Sequence, residues 1–488
     1  MNTLFDRIKI WTRLFLLRIA RDIKTSINKD RSLRKSDNLF SKEIKIPVIF
    51  SLIPTIVIVY CMLIVDLGIN YKTMISTAIF IIVSLVFFIL QVQNKEKKIF
   101  EDNDAVVLVC LLFIIAILML QISKEYVSAF LSPVAAFAFM TAILLSSKIG
   151  VLYAICLSLF AAFLNDMRFD VFLVMFCGSI VVVSNVKNIR KRADFINIGI
   201  KIAIANTTLT TMFYFFDFYK GMVQFRYNLF YGMLNGAFAI VILLVFIPLF
   251  EKVFSRTTNI KLIELSDFNN PLLKKLMLEA PGTYHHSIMT ADIAEQAANV
   301  INENSLLARV GAYYHDIGKL KNPEYFIENQ VTGRNPHDSL TPTMSRLILI
   351  SHVKDGIVLA RQNNIDNEII NIIEQHHGTT PMHVFYHRAL EEGGDDDINI
   401  ENFRYPGPKP TAKITAVVMM ADSCEAACRS IEEPTATRIK NMVEKIINNK
   451  FIDGQFSECP ITLKDLDAIR YSIISTIIGI YHARIEYE

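Results

Sequence analysis

The sequence predicts an all-α chain in two parts: a polytopic transmembrane helical bundle, then an all-helical cytoplasmic domain. Three observations carry that prediction. Of 488 residues, 52% are hydrophobic and only 20% are charged, with a mean hydropathy of +0.37, which is too apolar for an ordinary soluble protein. All ten histidines lie between His285 and His482, so chemistry and membrane are separated along the chain. The C-terminal part repeats apolar residues at helical spacing with little alternation, and no strands are needed to explain it.

Charge and cysteine usage exclude other classes. A net charge of +3 and a pI near 8.3 give no global basic field, so no nucleic-acid polymer is expected as a partner. The seven cysteines show neither zinc-ribbon spacing nor a secreted disulfide framework. Cys424 and Cys428 lie one helical turn apart, where they can hold a metal or pack between helices.

Residues 1–46 are basic, and "FDRIKIWTRLFLLRIARDIK" places apolar and basic residues at helical spacing. This suits an interfacial helix on an anionic leaflet, or a topogenic basic tail. It has no cleavage site of a signal peptide. Residues 47–250 form the membrane domain, with apolar runs near 47–66, 72–92, 104–121, 126–146, 148–165, 169–185, 195–216 and 227–250. About 20 residues cross a bilayer, so eight spans are expected. The basic loops "QNKEKKIF" and "NVKNIRKRADF" alternate with "DLGINYK", "SKEY" and "NDMRFD", which puts both termini in the cytoplasm of a plasma-membrane protein. The outer loops are too short for a folded extracellular domain. Few charges fall inside the spans, which disfavours a transporter with a proton relay.

Residues 251–280 read as a cytoplasmic linker helix, and 281–488 as the second domain. Segments such as "SIMTADIAEQAANVI", "SLLARVGAYYHDIG", "PTMSRLILISHVKDGIVLARQ", "NEIINIIEQHH" and "ITAVVMMADSCEAACRSI" carry 3.6-residue periodicity. Between His383 and Pro410, "HRALEEGGDDDINIENFRYPGPKP" reads as a polar, solvated loop.

Within this domain the candidate ligands are spread over five helices: His286, the His315–Asp316 pair, His352, the His376–His377 pair and Asp422. Five imidazoles and two carboxylates exceed what one ion takes, and sulfur is too scarce for structural zinc. Two divalent ions fit better. Neighbouring helical residues point about 100° apart, so each pair straddles a dinuclear centre, and Asp316 is the natural bridge because a carboxylate has two oxygens to share.

"PGTYHHS", "RVGAYYHDIGKLKNPEYFIENQ", "HVKDGIVLA", "EQHHGTT" and "YPGPKPTAKITAVVMMADSCEAACRS" together resemble the HD-domain phosphohydrolases. More narrowly, the chain from about residue 72 onward resembles the membrane-bound seven-transmembrane-HD family in its PgpH-type branch, whose members hydrolyse cyclic di-AMP. The resemblance implies that His286, His315 and Asp422 hold one ion and that His352, His376 and His377 hold the other, with Asp316 bridging. It implies that Lys319 brings positive charge to the phosphate. Glu328, Asn329 and Gln330 match the family's "ENQ" beside the site, as substrate contacts or as capping and packing groups. Tyr386 and Arg429 are candidates for base stacking and phosphate contact.

Imidazole and carboxylate ligands suit iron or manganese, and the resemblance favours them over zinc. Two features depart from relatives. The large extracellular domain between the first and second spans is missing, and "HHGTTPMHVFY" replaces the Gly-Tyr-Pro motif of the cyclic-di-GMP class. The resemblance thus implies a metal-dependent phosphodiesterase on the lipid bilayer that cuts cyclic di-AMP to linear pApA, with a homo-oligomer left open. Its rivals are an HD enzyme acting on cyclic di-GMP, an alarmone or a nucleoside triphosphate, and a non-catalytic nucleotide receptor. A pure receptor would be expected to have lost ligands, and all seven are present.

Overall fold

The computed structural model describes residues 55–61, 63, 70–96, 99, 102–186, 189, 191–330, 335–392 and 398–482. The basic segment 1–46 lies outside them, as does most of the first expected span, 47–66. Among the described residues all regular elements are helical, apart from an isolated bridge pairing Pro381 with Arg404.

Helices cover the apolar runs in order: α1 (Tyr71–Lys95), α2 (Asn103–Tyr126), α3 (Val134–Leu144), α4 (Ser147–Leu164), α5 (Phe169–Val183), α6 (Asp194–Phe215) and α7 (Met222–Val253). Short polar side chains start several of them by accepting bonds from otherwise orphaned backbone N–H groups. Asn70 accepts from Lys72, Asp102 from Ala105 and Ser146 from Ile149. By length and composition, α1, α2, α4 and α7 are able to cross a membrane, whereas Ala129–Leu144 and Phe169–Val183 are shorter apolar stretches.

Lipid tails are as apolar as leucine, so packing between such helices rests on close backbone approach and buried hydrogen bonds. The α6–α7 contact uses both. A Cβ added to Gly236 would stand 2.2 Å from the Gly199 carbonyl oxygen, and one on Gly199 would stand 2.4 Å from Ile240 Cδ1. One turn away, the Asn206 amide donates to the Gly232 carbonyl at 3.2 Å. Asn235, also buried, ties α7 to the turn after α2 by donating to Phe130 (3.0 Å) and Ser132 (2.8 Å) carbonyls.

The expected linker helix is broken. Residues 251–280 hold the end of α7, then α8 (Asn259–Leu265) and α9 (Pro271–Glu279). Thr258 and Asn270 each cap a new start, Pro271 fits a first helical turn, and Ser255 takes a positive φ of 49°. Those are stop and start signals that the apolar periodicity overrode in the sequence reading. The linker is tied to the bundle by Arg192, which forms a two-pronged pair with Glu264 at 2.7 and 3.1 Å. Arg256 meets Asp102 at 2.6 Å.

The second domain comprises α10 (Pro281–Val300), α11 (Ser305–Tyr314), α12 (Pro342–Gln362), α13 (Asn367–Gln375), α14 (His383–Glu392), α15 (Lys413–Arg429), α16 (Ala436–Ile452) and α17 (Leu463–His482). Helix α10 packs on α11, α15 and α17, with Ala291, Ala294, Ala297 and Ala298 buried so that its neighbours approach closely. The segment expected to be a solvated loop opens instead with α14. Its Phe385 is buried in a small cluster with Ile350, Met382 and Phe403, and Arg388 pairs with Glu392 one turn on. Apolar residues sparse enough to look polar in sequence still form one short buried stripe.

Replacing Gly236 with Leu should force α6 and α7 apart, an overpacking cost of about 1–3 kcal/mol. Thermal unfolding of the detergent-solubilised protein checks this; an unchanged midpoint would mean that the two backbones do not meet there.

Candidate metal centre

Helix ends and one close backbone approach position several of the candidate ligands. Pro281 opens α10, which carries His286 on its buried face. Helix α11 ends at Tyr314, so His315 and Asp316 occupy the turn into a short 3-10 segment, Ile317–Lys321. That turn lies against α12: a Cβ on Gly318 would stand 1.8 Å from the His352 carbonyl oxygen. Only glycine allows this approach, which sets His352 beside Asp316. His376 ends α13, His377 follows it, and Asp422 lies on α15.

The side chains converge around Asp316, which is 2% exposed. Its Oδ2 faces His315 Nε2 at 3.3 Å and His286 Nε2 at 3.7 Å. Its Oδ1 faces His352 Nε2 at 3.3 Å and His376 Nε2 at 3.7 Å. Asp422 Oδ1 lies 3.1 Å from His286 and 3.7 Å from His315, and its Oδ2 lies 3.8 Å from His377 Nδ1. Two groups able to hold an ion result, His286–His315–Asp316 and Asp316–His352–His376–His377, with donor atoms within 4.8 Å of one another in each. The structure thus brings together all seven residues expected from the sequence.

The imidazoles are fixed from behind. His315 and His376 share their Nδ1 atoms with the Ala312 and Ile373 carbonyls at 2.7 and 2.8 Å, and His352 Nδ1 does the same with Leu349. A carbonyl only accepts, so Nδ1 carries a proton and Nε2 is the ring nitrogen turned into the site. His286 uses a carboxylate for this, Glu425 Oε2 at 2.5 Å.

Electrostatics divide the two groups. Burial lowers the His286 pKa, but Asp422 and Glu425 outweigh it and hold it up at about 9. His315, also buried, is raised to about 10 by Asp316 and Asp422. Burial wins on the other side: it depresses His352, brings His376 down to about 3, and with His376 pushes His377 well down. Burial would raise the Asp316 carboxyl, yet Lys319 and His315 keep it well below the usual range. The His315 Nε2 and Asp316 Oδ1 atoms are buried without a hydrogen-bond partner. Orphaned polar atoms of this kind cost free energy unless something fills the space between them, and divalent cations fit.

Of the remaining expected residues, Lys319 reaches Asp316 directly. Lys319 Nζ sits between Asp316 Oδ2 and Glu328 Oε1, both at 2.7 Å. Glu328 also accepts from Thr283 Oγ1 at 3.0 Å, and Asn329 Oδ1 accepts from the Thr283 backbone N–H at 3.0 Å, which pins their turn to the start of α10. Gln330 bonds to the Glu324 carbonyl and to Asn335. Tyr386 is not among the ligands but beside Phe403, and Arg429 lies 4.0 Å from Glu425. Sequence reasoning missed Glu425 and Tyr405. Glu425 stands three residues after Asp422 on one helix face, a spacing that was readable. Tyr405 belongs to "YPGPKP", and its ring stacks on His377 with centroids 4.2 Å apart.

Fold and site together define an all-helical protein with a membrane region followed by an HD domain. Residues 71–258 match the family model described as 7TM receptor with intracellular HD hydrolase, and residues 283–427 match the HD domain. The chain belongs to the seven-transmembrane-HD family. It is 37% identical over 431 residues to the cyclic-di-AMP phosphodiesterase PgpH of Bacillus subtilis (strain 168), a match covering 85% of this chain and 59% of that protein. Identity to PgpH of Listeria monocytogenes serotype 1/2a (strain 10403S) is 39% over 402 residues, covering 81% and 56%. The chain therefore spans little more than half the length of these curated relatives. The crystal structure of the L. monocytogenes PgpH HD domain in complex with cyclic di-AMP is 50% identical, covering 44% of this chain and 100% of that one, with a TM-score of 0.43.

The asymmetry in the imidazoles has a measurable sign. His286 and His315, raised to about 9 and 10, are protonated at neutral pH in the absence of an ion. Loading that group must displace protons, so its affinity should rise with pH up to about 9, about tenfold per pH unit for each proton displaced. The depressed His352, His376 and His377 are already neutral, so their group should bind with little pH dependence. Calorimetric titration of chelator-treated protein with manganese, in buffers of different ionisation enthalpy, reads both. Equal proton release from the two groups would contradict the assignment.

Proposed function

We propose that the chain is a membrane-bound, metal-dependent phosphodiesterase that opens cyclic di-AMP to linear pApA and so lowers the level of that second messenger. The observation that carries this reading is the placement of the two Asp316 oxygens, one toward each histidine group. A carboxylate in that position is suited to hold two cations at a spacing that spans a phosphodiester. The relatives named as cyclic-di-AMP phosphodiesterases support the substrate.

His286, His315 and Asp422 would hold one ion and His352, His376 and His377 the other, with Asp316 shared. Iron or manganese suits such imidazole and carboxylate donors. When bound, the two ions acidify a water and neutralise the phosphate, so that attack occurs at neutral pH without a covalent protein intermediate. The protein's own part is positioning. Carbonyl and Glu425 partners keep the imidazole lone pairs aimed inward. Lys319 keeps Asp316 ionised and sets a positive charge at the rim of the site. A water attacks phosphorus in line, the bond to the ribose 3′ oxygen breaks, and that oxygen takes the proton.

The basic loops favour an orientation with both termini and the HD domain in the cytoplasm of a multi-pass plasma-membrane protein. In that orientation the linker bonded to Arg192 and Asp102 is the covalent route between bundle and metals. A reporter fused after Glu488 and found outside the cell would overturn the topology.

Asp316→Ala in the full-length protein should abolish hydrolysis while the helical circular-dichroism signal persists, because the shared ligand is lost. Chromatography of products from cyclic di-AMP, cyclic di-GMP and an alarmone, with manganese present, tests both the variant and the substrate. Near-normal turnover by the variant, or comparable efficiency on cyclic di-GMP, would sink the reading. A flexible Gly-Ser insertion at Ser255 should change the rate in membranes if the halves are coupled; an unchanged rate at equal metal loading would make the bundle an anchor only.

A further inference from the structure

Beside the metal centre lies an open cleft of about 480 Å³ that the proposed chemistry does not use. Its wall includes Tyr405, whose ring stacks on His377, and Thr379, two residues beyond that ligand. Three cations and two carboxylates line it, and their pairing is uneven. Arg404 takes both acids: its Nε donates to Glu401 at 2.8 Å, and Nη1 and Nη2 donate to the two oxygens of Asp453 at 3.0 and 2.9 Å. Arg346 and Lys409 form no ion pair among the described residues. Arg346 donates from Nη2 to the Arg404 carbonyl at 3.1 Å, while its Nε is buried without a partner. Lys409 Nζ meets only the Gly454 carbonyl at 2.9 Å and the Ser457 hydroxyl at 3.4 Å.

A cyclic dinucleotide carries two phosphates, and only one can lie at the shared carboxylate during hydrolysis. The other keeps its negative charge and requires a counter-charge nearby. We infer that this cleft receives the half of the substrate that is not being cut, with its intact phosphate held by Arg346 and Lys409 and the Tyr405 ring dividing the cleft from the metals. This rests on the phosphodiesterase reading above and adds to it the residues that distinguish a two-phosphate substrate from a one-phosphate diester. It also gives "YPGPKP" a role, since Tyr405, Pro406 and Lys409 of that motif line the cleft.

The test compares kcat/KM for cyclic di-AMP with kcat/KM for bis(p-nitrophenyl) phosphate, which has a single phosphate, using the full-length protein in detergent. Arg346→Gln and Lys409→Gln should each lower the ratio of the two by about tenfold, the scale of a lost charge-assisted hydrogen bond. Lys409→Arg should recover most of the loss. Metal content measured alongside separates a binding effect from a disturbed centre, and Arg346→Gln, which removes one bond to a carbonyl, guards against a folding defect in the lysine variant. A ratio that stays within twofold in both variants overturns the inference, including when both substrates fall together. If the unaltered protein cuts the small diester but leaves cyclic di-AMP intact, the substrate assignment itself fails, and this result is read without any variant.

Discussion

The second domain is arranged around one buried carboxylate. Asp316 sits where water is nearly absent, and an ionised carboxylate there costs several kcal/mol unless it is paired. Lys319 at 2.7 Å supplies the charge, four imidazoles surround the oxygens, and Glu328 in turn holds Lys319. Remove that carboxylate and five mutually close imidazoles lose the group that makes their proximity tolerable. Gly318 is the steric condition for this arrangement, because the turn that delivers Asp316 must touch the α12 backbone.

Around that centre, the fold spends backbone carbonyls rather than extra side chains. Three of the histidines are anchored by the carbonyl three residues earlier: His315 and His376 at helix ends, where carbonyls are otherwise unsatisfied, and His352 inside α12. His286, on α10, is anchored instead by a side chain, Glu425 from α15. Protonation follows the carboxylates an imidazole faces rather than its anchor: Asp422 and Glu425 hold His286 up, Asp316 and Asp422 hold carbonyl-backed His315 up, and burial holds His376 down.

Much of this was legible in the sequence. Helical periodicity predicted the all-α class and the position of each ligand-bearing helix, because amphipathic segments with strong apolar stripes leave few alternatives. The seven candidate ligands were legible because all the imidazoles fall in this half, and the family resemblance grouped them. Glu425 shares a helix face with Asp422, a readable spacing, but its role as the anchor of His286 shows only once α15 is seen to face that ring. Tyr405 was missed for a related reason: a loop aromatic gains meaning only when the chain folds back on Thr380, as the Tyr405 backbone N–H does at 3.1 Å. The broken linker shows the opposite failure, in which apolar spacing was trusted over the Thr258 and Asn270–Pro271 start signals.

Those breaks set what the linker can transmit between the bundle and the candidate metal site. A single continuous helix would transmit rotation along its whole length, whereas two short helices transmit only what their side contacts enforce. The contacts form an unbroken series: Asp102 to Arg256, Arg192 to Glu264, and the Leu265 carbonyl to the hydroxyl of Tyr314 at 2.8 Å, immediately before His315. Spatial continuity alone is not coupling; an element must have two arrangements that both ends bias. Arg192 bridges the two sides of that route, its guanidinium lying 3.6 Å from Glu251 and 2.7 Å from Glu264. Both acids sit on the linker side of the bundle, one on α7 and one on α8, so a shift of that guanidinium from the exposed partner toward the buried one would release α8, and α8 is what Tyr314 leans on.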